Sequence, residues 1–188
     1  NSLSTDRVPR TSTYHRDKSS KKVPMEWKVV INGDGGVGKT CMLITYTEGR
    51  FPREYVPTVF DNYEALLAAT KKTELKMSLW DTGGEEGYAR IRTLSYAKTD
   101  LFLLCFSVVN IPSYINVRDR WIPEIRHHCS TVKIIVVGTK IDLRNDDATL
   151  DQLEREGFVP LTEADGINLA KEVGAMGYLE CSAMTSEG

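Results

Sequence analysis

Residues 33–40 read GDGGVGKT, with four glycines followed by one lysine and one hydroxyl. The spacing G-x-x-x-x-G-K-[ST] is that of a phosphate-binding loop. Gly33, Gly35, Gly36 and Gly38 free the backbone to turn, which brings N–H groups from Asp34, Gly35, Gly36 and Val37 on through Gly38 to Cys41 up to phosphate oxygens. The start of a following helix adds partial positive charge. Lys39 supplies a point charge for the β- and γ-phosphates, and the Thr40 hydroxyl is placed for Mg²⁺. Such a loop implies a nucleoside triphosphate and leaves the base open.

The base is read further on, at GTKID (138–142). A strand end in an α/β sheet is where ligands sit. The Asp142 carboxylate accepts from both guanine N1–H and the 2-amino group, whereas adenine presents a lone pair at N1. A mismatched buried acceptor discriminates strongly. The Lys140 stem covers the base. In CSA (181–183), Ser182 and the N–H of Ala183 are placed to contact the base carbonyl. T-K-x-D alone is an ordinary strand-end turn; it becomes specific in order after a phosphate loop and D-x-x-G and before S-A. An adenine-nucleotide kinase is the reading that Asp142 opposes.

Positioning these groups requires strands that end together. WKVVIN (27–32), LFLLCFSVV (101–109) and VKIIVVG (132–138) are continuous apolar runs, which suit parallel strands covered on both faces. Helix-like segments at 39–49, 112–128 and 162–175 alternate with them, the last opening on a Thr-x-x-Asp cap signal. Residues 62–70 and 73–80 read as a hairpin around a Lys-Lys pair and supply an antiparallel edge. The expectation is an α/β fold: a P-loop NTPase domain with a mainly parallel, six-stranded sheet, helices on both faces and one antiparallel edge strand.

The 188 residues suffice for one domain, and 41% hydrophobic with 27% charged residues is ordinary for a globular chain. A net charge of −2 makes no case for a nucleic-acid partner. No run reaches the ~18 apolar residues of a spanning helix. Cys41, Cys105, Cys129 and Cys181 form no C-x-x-C pair and read as reduced thiols of a cytoplasmic protein. Residues 1–25 differ from the rest, carrying +4 against −6 for the remainder, with few apolar side chains. They are expected to be a disordered basic arm, either a solvated tail or a contact for acidic lipid or a partner.

The ordered set GDGGVGKT, YVPTVFDNY (55–63), WDTGG (80–84), TKID (139–142) and ECSA (180–183) resembles the Ras superfamily of small GTPases over residues 26–188. It most resembles the Rho/Rac branch. Thr139, FPREY (51–55) and VPTVFDNY carry that likeness, as does the acidic stretch at about 144–160, where Rho proteins have an extra helix. The resemblance implies a switch that binds GTP and Mg²⁺, signals to effectors of the actin cytoskeleton, and hydrolyses GTP to GDP. Phe51 would lie edge-on to guanine. Thr40, Thr58 and Asp81 would hold Mg²⁺, Asp81 through water, and Thr58 and the Gly84 N–H would sense the γ-phosphate. Lys39, Thr58, Gly84 and residue 85 would form the catalytic set. Tyr55, Val59, Phe60, Asp61 and Tyr63 would form the effector edge. Exchange factors, activating proteins and a dissociation inhibitor are the implied partners of a monomer.

Two departures stand out. The family has D-T-A-G-Q where this chain has Asp81-Thr82-Gly83-Gly84-Glu85. Glu85 keeps the acceptor of the glutamine that orients water and loses its donor. A hydrolysis-impaired GTP-binding scaffold is therefore the rival reading. The family also continues beyond ECSA into a final helix, a basic tail and a prenylated cysteine that places it on membranes. The sequence stops at Gly188, so that helix and tail are expected to be missing from it.

Overall fold

The computed structural model describes residues 23–54, 57–68 and 73–188. The strands are β1 (Val23–Gly33), β2 (Phe60–Ala68), β3 (Thr73–Thr82), β4 (Leu101–Ser107), β5 (Lys133–Thr139) and β6 (Gly177–Cys181). They form one sheet in the order β2-β3-β1-β4-β5-β6, parallel throughout except for β2, which runs antiparallel to β3 at the edge. The mainly parallel, six-stranded sheet expected from the apolar runs is what forms.

Alternation along β4 explains why both faces need cover. Phe102, Leu104 and Phe106 pack on one side with Ile134, Val136, Trp121, Ile125 and Leu169. Cys105 faces the other side with Val29, Ile31, Leu79 and Leu43. Fully burying side chains of this size is worth about 1.5–3 kcal/mol each. The first face is covered by α3 (Ile111–Asn116), α4 (Ile122–His128) and α6 (Glu163–Glu172), the second by α1 (Lys39–Glu48).

Several boundaries move. β1 begins at Val23, so the arm expected over 1–25 loses its last residues to the sheet; residues 1–22 lie outside the described residues. Pro24 is tolerated because β1 has β3 on one side there, while β4 joins only from Val29. The helix expected over 112–128 is interrupted. Val117–Trp121 is a wide π-turn in which Ile122 N–H donates to Val117 O, five residues back. Pro123 supplies the reason, since it has no N–H and crowds the carbonyl four residues earlier.

Residues 86–94 give little sequence sign of a helix, with Gly87 inside and Leu94 80% exposed. They form a short turn, Glu86–Tyr88, and then α2 (Ala89–Leu94). The acidic stretch holds α5 (Asp147–Arg155), whose cap Asp146 accepts from Thr149 N at 2.9 Å. Its acidic residues are exposed and only Leu153 is buried. The cap signal before α6 is a full capping box between Thr162 and Asp165.

Candidate functional site

The phosphate loop joins β1 to α1 without a side-chain cap, which leaves the first helical N–H groups free. Lys39 is buried beneath the loop, and its Nζ donates to Gly33 O at 2.9 Å and Asp34 O at 2.7 Å. Burial pulls its pKa below the usual ammonium value, while Asp81 and other nearby acidic groups pull the other way. The Asp34 side chain turns away from the loop. Its Oδ1 accepts from Trp121 Nε1 and its Oδ2 from Asn116 Nδ2, both at 2.7 Å.

Three oxygen-bearing side chains converge beside Lys39. Thr40 Oγ1 donates to Asp81 Oδ2 at 2.6 Å and lies 2.7 Å from Thr58 Oγ1. Asp81 Oδ1 is buried with no hydrogen-bond partner among the described residues. Burial raises the Asp81 pKa; the Thr40 hydrogen bond and Lys39 oppose that. An orphaned carboxylate oxygen beside two hydroxyls fits a hard, oxygen-seeking cation such as Mg²⁺. No group of three or more His, Cys, Asp or Glu gathers among the described residues, so such a cation would share its shell with phosphate and water.

Two of the three glycines of DTGGEEGY, Gly83 and Gly84, have a steric reason; a Cβ on Gly87 would meet nothing. A Cβ on Gly84 would stand 2.3 Å from Gly35 N, so only glycine lets this backbone lie on the phosphate loop. A Cβ on Gly83 would stand 2.6 Å from both Thr58 O and Tyr88 Cδ2, while Gly83 N–H donates to Val59 O at 3.1 Å. The Gly83 departure therefore lets the segment carrying Thr58 close down on the segment carrying Glu85. Glu85 is exposed, with Oε1 3.0 Å from where a Cβ on Gly35 would sit.

The carbonyls of this turn face arginines. Arg92 Nη1 donates to Gly83 O at 2.8 Å and to Glu85 O at 3.2 Å, and Arg120 Nη2 donates to Gly84 O at 3.3 Å. Arg92 is buried and doubly bonded to Glu124, at 3.0 and 2.8 Å, and Tyr96 OH donates to the same carboxylate at 2.5 Å. Burial alone would raise the Glu124 pKa, but the Arg92 and Tyr96 hydrogen bonds hold it below the usual carboxylate value.

A slot of about 190 Å³ lies at the ends of β5 and β6, lined by Cys41, Phe51, Thr139, Lys140, Asp142 and Ala183 among others. It is continuous, through Gly38, Cys41, Phe51 and Lys140, with an open groove lined by Gly35, Gly36, Lys39, Thr40, Thr58, Gly84 and Glu85. Thr139 Oγ1 donates to Val37 O at 2.5 Å and lies 2.9 Å from Phe106 O, tying the loop to the sheet. Val37 itself is buried and packs with Val29, Ile31 and Leu43 in the core. Lys140 has a left-handed backbone (φ 60°), and its Nζ reaches Gly36 O at 2.7 Å. Ser182 is buried and donates to Asp142 Oδ1 at 2.5 Å, so its hydroxyl orients the carboxylate.

The slot has braces that no motif pointed to. Arg144 grips Glu180 through two hydrogen bonds of 2.6 and 3.0 Å, and Tyr178 OH donates to Glu180 at 2.7 Å. Burial would raise the Glu180 pKa; the Arg144 and Tyr178 bonds outweigh it and lower it. Thr45 Oγ1 lies 3.3 Å from both Arg50 O and Ala183 O, linking α1 to the loops at 51 and 183. The signal for Arg144 and Glu180 was their place two residues from Asp142 and Ser182.

On the proposed effector edge, Val59 and Phe60 are 41% and 38% exposed, Asp61 is exposed, and Tyr63 OH donates to Asp61 Oδ2 at 3.2 Å. Tyr55 lies outside the described residues. Among the described residues, no helix is long and apolar enough to cross a membrane.

A family model described as the Ras family matches residues 28–188, from the second half of β1 through both the slot and the groove. A phosphate loop, a carboxylate-tipped slot and a mainly parallel sheet with one antiparallel strand, in a chain matched over most of its length, place it in one family: the chain belongs to the Ras family of small GTPases.

Proposed function

We propose that this small GTPase is a Rho/Rac-like switch, with GTP and Mg²⁺ held in the groove and guanine in the slot. The observation that carries the reading is the continuity of an apolar, carboxylate-tipped slot with a glycine-lined polar groove. Thr139, the VPTVFDNY stretch and α5 within 144–160 support the Rho/Rac branch.

Asp142, held by Ser182, accepts from the guanine edge, and Lys140 and Phe51 flank the ring. Lys39 and the loop N–H groups take the β- and γ-phosphates, and the Thr58 and Gly84 segments close over the γ-phosphate. Mg²⁺, held by Thr40, Thr58 and Asp81, would neutralise phosphate charge. Glu85 accepts a hydrogen bond from the attacking water, whose proton leaves with the released phosphate. Loss of that phosphate frees the two segments, an order–disorder change that ends effector binding at Val59, Phe60 and Asp61. Effectors acting on actin, exchange factors, activating proteins and a dissociation inhibitor are the partners this reading implies. The protein works in the cytoplasm as a monomer, at membranes when prenylated.

A hydrolysis-impaired GTP-binding scaffold is favoured by one feature, the missing donor at Glu85. Single-turnover GTP hydrolysis, with and without a Rho-type activating protein, separates the two. Weak stimulation is expected. Glu85→Gln alone should raise the assisted rate at least ~10-fold, about 1.4 kcal/mol of barrier. Adding Gly83→Ala would confound the comparison, because the new methyl meets Thr58 O and Tyr88. Equal assisted rates for wild type and Glu85→Gln, at matched activator occupancy, would make the glutamate irrelevant to hydrolysis.

A further inference from the structure

We propose that Trp121, with the two arginines over its ring, is a positioning centre that couples the phosphate loop to the 83–85 turn and sets the preference for triphosphate over diphosphate. The proposal rests on the guanine-nucleotide reading above.

Trp121 is completely buried, yet three charged residues of the loop and turn network, Asp34, Arg92 and Arg120, contact it. Its Nε1 donates to Asp34 in the phosphate loop. The guanidinium carbons of Arg92 and Arg120 lie 4.7 and 4.4 Å from its ring centre, within cation–π range. Those two arginines hold three successive carbonyls, Gly83, Gly84 and Glu85. A buried arginine needs a carboxylate partner, and Glu124 already gives Arg92 two hydrogen bonds. The remaining Nη1 is directed at the turn.

Peptide geometry supplies the consequence. In a trans peptide the C=O and the following N–H point in opposite directions. With the carbonyls of Gly83 and Gly84 turned to the arginines, the N–H groups of Gly84 and Glu85 point away from them. Gly84 is pressed against Gly35 N on the other side, and both Gly84 and Glu85 line the groove. The arginine bonds thus lower the conformational entropy that the turn must lose when it closes on a γ-phosphate, a saving that a diphosphate does not draw on.

Asn116 and Trp121 reach the same Asp34 carboxylate although five residues apart. The π-turn between them brings both to one side. π-turns recur at functional positions, and this one places Arg120 over Trp121 and within reach of Gly84 O.

Stopped-flow release of fluorescent GDP and of a fluorescent, non-hydrolysable GTP analogue from the full chain tests this. Arg120 is half-buried, so Arg120→Ala leaves the core intact. Arg120→Ala should release the GTP analogue at least about five-fold faster, the cost of one charge-assisted hydrogen bond, with GDP release within about two-fold of wild type. Trp121→Phe keeps a ring under the arginines and removes the Asp34 bond; it should shift the ratio the same way, with melting curves showing that it folds. Equal acceleration of both nucleotides in Arg120→Ala would mean a merely structural role and overturn the proposal, as would no change in either. Wild type that binds no guanine nucleotide would sink the functional reading and this inference together; wild type that binds normally, with the ratio unmoved in Arg120→Ala, sinks the inference alone.

Discussion

The base slot and the phosphate groove are braced differently. In the slot the braces lie at the ends of two hydrogen-bonded strands: Asp142 and Arg144 follow β5, Glu180 and Ser182 lie at the end of β6, and Thr139 pairs in register with Cys181. In the groove the braces come from the helical segment 111–128, which carries Asn116 and Trp121 for Asp34 and Glu124 for Arg92. Bracing between paired strands makes a fixed receptacle. Bracing of loops by a packed helix makes a part whose order depends on that helix staying docked, which suits the half that must respond to one phosphate.

That contrast is tested first where the effect is largest. Asp142→Asn should weaken GDP and GTP at least ~100-fold, both by the same factor, and admit xanthine nucleotides, because a buried polar mismatch costs several kcal/mol. Competition titration reads it. A loss confined to GTP would erase the division between the halves, and wild-type ATP affinity comparable to GTP would remove the base assignment.

Chelating Mg²⁺ should speed release of bound nucleotide by about 10-fold or more, since the triphosphate needs neutralising and Asp81 Oδ1 has no other partner among the described residues. Release that ignores a chelator would break the Thr40–Thr58–Asp81 assignment. The smallest effect is expected at the slot's brace. Glu180→Gln weakens the grip of Arg144 and should accelerate GDP and GTP-analogue release alike, by about three- to five-fold. A change for one nucleotide only would show that the slot also senses the phosphate.

The difference also governs what could be read in advance. The residues that line the groove and slot were legible because their chemistry is local: Lys39, Thr40 and the glycines within one loop, Asp142 within TKID. The sheet was legible because parallel strands buried on both faces are apolar at every position. The braces were not. Nothing in the types of Asn116, Trp121 or Arg120 marks them as partners of Asp34 or Gly84, since only the fold brings them there. Gly83 stood out in the sequence only as a departure; that it is a close approach depends on where Thr58 O and Tyr88 lie. The helix ending at Leu94 was hidden because its apolar Ile91 and Leu94 are exposed while the residue it buries is Arg92, the reverse of an amphipathic pattern.

The π-turn at Val117–Trp121 also constrains the length of this chain. A wide turn is a regular helix carrying one additional residue. Deleting one residue between Asn116 and Trp121 would let the segment close into an ordinary helix, where residues four apart still share a face. The two partners of Asp34 would stay on one side, and the helix beyond would keep its phase. A change of length that the turn did not absorb would instead rotate everything beyond it by about 100°. Related chains can therefore be sorted at this helix by counting residues between the asparagine and the tryptophan: partners five apart need the wide turn, and partners four apart do not.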